Sequence, residues 1–241
     1  MNTQTGDITL AEIVNEDFHA AEVFEKYGLD FCCGGKQSID DACREKGINP
    51  DVLLSEIKKS GDQTGREREK FDRWELDFLI DYILQNHHAF LRRAMPSLHA
   101  HTQKIAAVHG SNHPEVIRIA ALFEKMKGDL EQHMMKEEQI VFPAIKMMLN
   151  AKRTGHAPEP LRFGSIQNPI AMMEMEHQVA GNETHQIKDL SGNYTLPADA
   201  CTTFAMTYQE LKEFELDLHQ HVYLENNLLF PKAIALENEM K

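Results

Sequence analysis

Two stretches of the chain, DLEQHMMKEEQIVFP (129–143) and DLHQHVYLENNLLFP (217–231), share the pattern Asp-Leu-x-Gln-His-x-x-x-Glu-x-x-x-x-Phe-Pro. Four residues is just over one helical turn, so His133 and Glu137 fall on one face about 6 Å apart along the axis, as do His221 and Glu225. The two histidines belong to a longer series, His88, His133, His177 and His221, with intervals of 45, 44 and 44 residues (133 − 88, 177 − 133, 221 − 177). Equal intervals that each cross one turn bring the chain back to the same height on the next helix. The series therefore predicts four long antiparallel helices, each offering one imidazole to a shared layer of the core.

The rest of the pattern agrees. From about residue 71 the apolar positions follow a helical period, broken at HGSNHP (109–114), KRTGHAPEP (152–160) and LSGNYTLP (190–197). Short breaks between long amphipathic helices favour an up-down-up-down bundle. Pro143 and Pro231 fall inside helical patterns and are expected to kink them. Ahead of the bundle, residues 1–60 read as a small helical module. Phe18 to Tyr27 is apolar at helical spacing and stops at Gly28, Ser38 with Asp41 starts a short helix ending near Gly47, and Asn49-Pro50 opens a third. The polar segment 61–70 reads as a linker. The expected fold is all-α, with the bundle spanning 71–241.

Bulk properties remove several function classes. A net charge of −13 over 241 residues argues against a nucleic-acid or anionic-membrane partner. No apolar run is long enough for a membrane span, and the N-terminus lacks the basic start and apolar block of a secretory signal. Four cysteines (Cys32, Cys33, Cys43 and Cys201) are too few for a disulfide framework, which suits a reducing cytoplasm.

A layer of four core histidines has one usual explanation, a metal. Two glutamates in the same layer carry a heavy desolvation cost unless a cation neutralises them. Four imidazoles and two carboxylates fit a dinuclear site in which Glu137 and Glu225 both bridge. A further oxo or hydroxo bridge would still leave each metal one open position. Nitrogen and oxygen donors without thiolate suit iron or manganese better than structural zinc. His87 adjoins His88, and the 44-to-45 rhythm does not separate them. Asp129 and Asp217 each lie one turn before a series histidine. Each either accepts that histidine's second N–H or sits on the solvated surface. The methionines of AMMEMEH (171–177) read as core filling rather than a soft-metal site.

Glu174-x-x-His177 is the i, i+3 pair of ferritin-like bundles, but it occurs once where that pattern needs two. The four-histidine set instead makes residues 75–240 resemble the hemerythrin-like domain. With DFCCGGKQ (30–37) ahead of it, nearly the whole chain resembles the RIC family, di-iron proteins that repair iron–sulfur centres (the YtfE/ScdA type). The resemblance selects His88 over His87. It makes His88, His133, Glu137, His177, His221 and Glu225 the ligands of two non-haem iron ions. It implies a cytoplasmic stress protein, often a homodimer, that restores iron–sulfur proteins damaged by nitric oxide or peroxide. NO or O2 would be its small ligands. Hemerythrins proper supply a fifth histidine, and none is placed for it here. An O2- or NO-binding sensor or store, and an NO-reducing enzyme, are the alternatives.

The vicinal pair Cys32-Cys33 is not a C-x-x-C motif, and adjacent cysteines close a disulfide only with backbone strain. Its thiols are expected to bind iron, accept NO or dock to the bundle site, with burial as small hydrophobes the alternative. The flanking glycines allow close backbone approach. Cys43 and Cys201 are expected to be structural.

Overall fold

The computed structural model describes residues 8–63, 71–157 and 159–240, and among them no β-strand occurs. The chain forms two units. One comprises Met1–Glu75 together with Val222–Pro231, the other Leu76–His221 together with Lys232–Lys241.

In the first unit, helix α1 (Leu10–Glu16) starts at a capping box: the Thr9 hydroxyl accepts from the Glu12 N–H while the Glu12 carboxylate accepts from the Thr9 N–H. The helical reading of the sequence had no element there. Helix α2 (Ala20–Tyr27) ends at Gly28 and α3 (Ile39–Lys46) at Gly47, both left-handed with φ of 64° and 67°. Ser38 caps α3 by accepting from the Asp41 N–H, and Pro50 opens α4 (Pro50–Gln63). The expected linker at 61–70 begins with the last three residues of α4, and 64–70 lie outside the described residues.

The core of this unit holds Leu10, Val14, Phe24, Phe31, Ile39, Leu53 and Phe71. It also holds Tyr223, whose ring meets Phe31 at 5.8 Å and Phe18 at 6.0 Å between centroids, and whose hydroxyl donates to the Ala11 carbonyl. Aromatic pairs add about 0.5–1.5 kcal/mol each beyond burial, and residues 222–231 group with this unit. Cys43 is fully buried in α3, consistent with a structural role.

The second unit carries the bundle, apart from the stretch Val222–Pro231 of its fourth helix. Its first helix runs as α5 (Leu76–Tyr82), a π-helical segment (Ile83–His88) and α6 (Ala89–His109). The second runs as α7 (Pro114–Lys136), a π segment (Glu137–Val141) and α8 (Phe142–Thr154). Helix α9 (Gln167–Leu190) is the third. The fourth runs as α10 (Thr202–Leu224), a π segment (Glu225–Leu229) and α11 (Phe230–Glu239). Helix α5 packs on α8 while α6 packs on α7, so the first two helices are antiparallel, and α7 packs in turn on α9. The breaks fall where the sequence placed them, except that the second and third are longer: α8 ends at Thr154 and α9 begins at Gln167, while α9 ends at Leu190 and α10 begins only at Thr202.

The two prolines act differently from a simple kink. Pro143 and Pro231 are each the second residue after a π segment. The Phe142 amide bonds the Glu137 carbonyl and the Phe230 amide bonds the Glu225 carbonyl, each five residues back. A proline has no N–H and crowds the carbonyl four residues earlier. One extra residue in the preceding turn absorbs that conflict without ending the helix. The repeated Glu-x-x-x-x-Phe-Pro thus writes a π-turn that starts on the glutamate itself, a local form that recurs at functional sites.

Candidate metal centre

Each series residue sits on the helix the intervals assigned to it: His88 at the end of the first π segment, His133 in α7, His177 in α9 and His221 in α10. Glu137 and Glu225 are the first residues of their π segments. All six are buried, with both glutamates at 0 % exposure.

They converge as two overlapping groups. His88, Glu137, His221 and Glu225 place one donor atom each within 4.8 Å of one another, and so do His133, Glu137, His177 and Glu225. Both carboxylates belong to both groups. Glu137 shows why: its Oε2 lies 3.2 Å from His88 Nε2 and its Oε1 lies 3.2 Å from His133 Nε2. His133 and His177 bring their Nε2 atoms to 2.9 Å, and the His88 and His221 rings meet edge to face at 5.0 Å.

This donor set fits metal binding. Carboxylates taken fully out of water need compensating positive charge, and neutral imidazoles supply electron pairs rather than that charge. Donors limited to nitrogen and oxygen suit iron or manganese.

The outer partners are residues that the sequence reading missed. His88 Nδ1 lies 2.7 Å from Glu138 Oε1, and Arg92 donates to both Glu138 oxygens at 2.7 and 2.8 Å. His133 Nδ1 lies 2.9 Å from Glu176 Oε2, and Lys136 donates to the other Glu176 oxygen. The two histidines are therefore oriented by the same device, a carboxylate pinned from behind by a cation, which fixes ring angle and tautomer. The bond to His133, joined by Lys136, outweighs burial and holds the Glu176 carboxyl down to about 2. Burial works to raise the Glu138 carboxyl, but Arg92 and His88 prevail and hold it below the usual carboxylate range. The only signal in the sequence was adjacency, since Glu138 follows Glu137 and Glu176 precedes His177.

Asp129 and Asp217 take neither histidine. Asp129 is exposed and accepts from Lys125. Asp217 Oδ1 lies 3.1 Å from His87 Nδ1. His87 is itself buried, stacked on His221 at 5.4 Å, yet it belongs to neither donor group. Of the methionines read as core, Met173 is buried, but Met172 and Met175 are 52 % and 71 % exposed. They line a groove of about 630 Å³ between α7 and α9 that reaches His133 and His177.

Cys32 is buried and Cys33 half-buried, and neither is in a disulfide. The Cys33 sulfur, burial and Asp30 together push the Cys32 thiol well above its ordinary range. The Cys32 carbonyl accepts from the side-chain amides of Asn226 (3.4 Å) and Asn227 (3.0 Å), the residues that follow Glu225. Gly35 makes that approach possible, because a Cβ there would meet Asn227 Oδ1 and the Phe31 carbonyl at 2.6 Å. Cys201 departs from expectation. It is exposed, with its sulfur 3.2 Å from His109 Nε2, so packing does not explain it.

The fold and site together define a helical cation-binding protein. Residues 79–233 match the hemerythrin HHE cation binding domain, and residues 6–60 match a domain of unknown function (DUF542) also called ScdA_N. A probable iron-sulfur cluster repair protein of Haemophilus influenzae is 36 % identical, over 89 % of this chain and 91 % of that one. The iron-sulfur cluster repair protein YtfE of an Enterobacter species is 35 % identical, over 96 % of this chain and 98 % of its own. ScdA of Staphylococcus haemolyticus is 32 % identical, over 95 % and 98 %. The chain belongs to this YtfE/ScdA family of iron–sulfur cluster repair proteins, which joins the ScdA_N domain to a hemerythrin HHE domain.

Proposed function

We propose that this protein restores iron–sulfur clusters damaged by nitrosative or oxidative stress, using a non-haem di-iron centre. The observation that carries the reading is the pair of four-residue donor groups that share both Glu137 and Glu225. In this reading His88 and His221 would hold one iron and His133 and His177 the other, with Glu137 and Glu225 available to both. When bound, the iron pair supplies redox change and open coordination positions for NO or O2. The protein's own residues do the rest. Glu138 and Glu176 keep His88 and His133 in one tautomer, with Nε2 turned inward. The groove of Met172 and Met175 gives a small apolar gas a path to His133 and His177. Cys32 and Cys33 serve as thiol ligands for iron passing to or from a damaged cluster protein. A cytoplasmic location and a homodimeric state belong to the same reading and rest on the family likeness.

The test uses a [4Fe–4S] dehydratase inactivated by NO under anaerobic conditions. The iron-loaded protein should restore its activity. Glu137→Ala and Glu225→Ala variants, stripped of a bridging carboxylate, should hold less iron and restore little. Equal restoration by these iron-poor variants would refute the proposal.

A further inference from the structure

We propose that Asp30, Cys32 and Cys33 form a second metal site, a surface station for a single divalent cation of the Fe2+/Zn2+ class. It deepens the proposed function, since such a site would carry the iron that the repair reading requires the protein to move.

The geometry is that of a metal bite. In a tetrahedral centre with metal–sulfur bonds of about 2.3 Å, two sulfur ligands lie about 3.8 Å apart. Cys32 Sγ and Cys33 Sγ lie 3.9 Å apart. A carboxylate oxygen at about 2.0–2.2 Å from the same ion would lie about 3.5 Å from each sulfur. Asp30 Oδ1 lies 3.3 Å from Cys32 Sγ, and all three donor atoms fall within 4.8 Å of one another. The sulfurs are at nearly twice the disulfide bond length of about 2 Å, so the arrangement is set for a shared ion rather than for closure.

The loop is built to hold this arrangement. Asp30 Oδ1 accepts the backbone N–H groups of Cys32 at 3.1 Å and Cys33 at 2.9 Å, which folds the chain back over its own carboxylate. A Cβ at Gly34 would strike the Asp30 carbonyl at 2.7 Å, so only glycine permits the fold-back. Asn226 and Asn227 hold the Cys32 carbonyl from the other side, and Asn226 Nδ2 stands 4.0 Å from Cys33 Sγ, where an amide proton would face a thiolate. Asp30 is exposed and Cys33 half-buried, so an ion can enter and leave without unfolding. Three protein ligands leave a fourth tetrahedral position for a sulfur or nitrosyl ligand from outside. On binding, the two thiols release their protons to the buffer and no electron is transferred.

The test is a Co2+ titration of the full-length, iron-loaded protein. Thiolate ligands give Co2+ a sulfur-to-metal charge-transfer absorption, which histidine and carboxylate ligands do not, so the bundle centre is silent in this readout. One Co2+ per chain should bind with that absorption and with the ligand-field bands of a tetrahedral ion. Cys32→Ser and Cys33→Ser should abolish the charge-transfer band. Asp30→Asn keeps an oxygen to cap the two amides but loses the charge. It should weaken Co2+ by about tenfold or more, the least expected when even an outer partner of a ligand typically costs 10–100-fold. Unchanged bundle iron and helicity in each variant would show that it is folded. Absence of the band in the parent protein, its persistence in either serine variant, or full affinity in Asp30→Asn would overturn the assignment. Because the readout is spectroscopic, it stands or falls apart from cluster repair: a sound Co2+ site with no repair activity would fail only the functional reading.

Discussion

Replacing Glu176 by alanine removes the carboxylate that fixes His133 while leaving all six proposed ligands in place. The bond it breaks is 2.9 Å long, and its acceptor is ionised throughout the working pH range, because His133 and Lys136 hold that carboxyl near 2. Loss of such a partner typically costs 10–100-fold in metal affinity, or about 1.4–2.7 kcal/mol. Lys136 is surface-accessible and is stranded at little further cost. The loss should fall on one ion of the pair, since His133 belongs only to the group with His177. Glu138→Ala should do the same to the other ion, through His88. Stepwise chelation followed by iron analysis measures this. The parent protein should release its irons in one phase, each variant should give up half its iron early, and Glu137→Ala should lose both together. If Glu176→Ala and Glu138→Ala each stripped both irons in a single phase, or neither changed the release, the assignment of separate histidine pairs to separate ions would be wrong.

Gly35→Ala should destabilise the unit that holds Cys32, by roughly 1–3 kcal/mol for an overpacked methyl, since its Cβ meets two oxygens at 2.6 Å and Ala11 Cβ at 3.0 Å. A denaturant midpoint equal to that of the parent would show that the approach is looser than described. Tyr208, buried in the bundle and near Glu115, has its phenol pushed up to about 12. A folded-state value above the unfolded one of about 10 contributes stability that is complete below pH 10 and is lost as pH rises through 12, at most roughly 3 kcal/mol. The parent should therefore lose stability faster than Tyr208→Phe between pH 10 and 12, and parallel stability–pH curves would contradict the burial argument.

The bundle and its inner residues were legible because both rest on a period. A histidine every 44 or 45 residues survives translation into helices, and a His-x-x-x-Glu pair is a statement about one helical face. What was hidden has no period. Glu138 and Glu176 reach histidines 50 and 43 residues away across a helix interface, and one residue's offset from a proposed ligand says nothing about which neighbour it faces. The π-turns escaped for a related reason. Phe-Pro reads locally as a kink, and only the backbone shows that the irregularity begins at the glutamate five residues earlier. Helix α1, by contrast, does carry a local signal, for Thr9-x-x-Glu12 is a readable capping box. His87 could not be told from His88 by spacing. The structure parts them by their company, Asp217 for one and Glu137 with Glu138 for the other.

The membership of Val222–Pro231 in the N-terminal unit has a consequence for synthesis. A ribosome that has finished residue 75 must add 156 more (231 − 75) before that unit owns all its parts. At 5–20 residues per second this takes roughly 8 to 30 seconds. Until then Ala11, Phe18, Phe31 and the Cys32 carbonyl await Tyr223, Asn226 and Asn227, which the nascent chain does not yet contain. The thiol loop is thus completed by the same late stretch of chain that delivers Glu225. Neither the thiol loop nor the proposed metal centre can be finished during translation until the fourth helix has emerged.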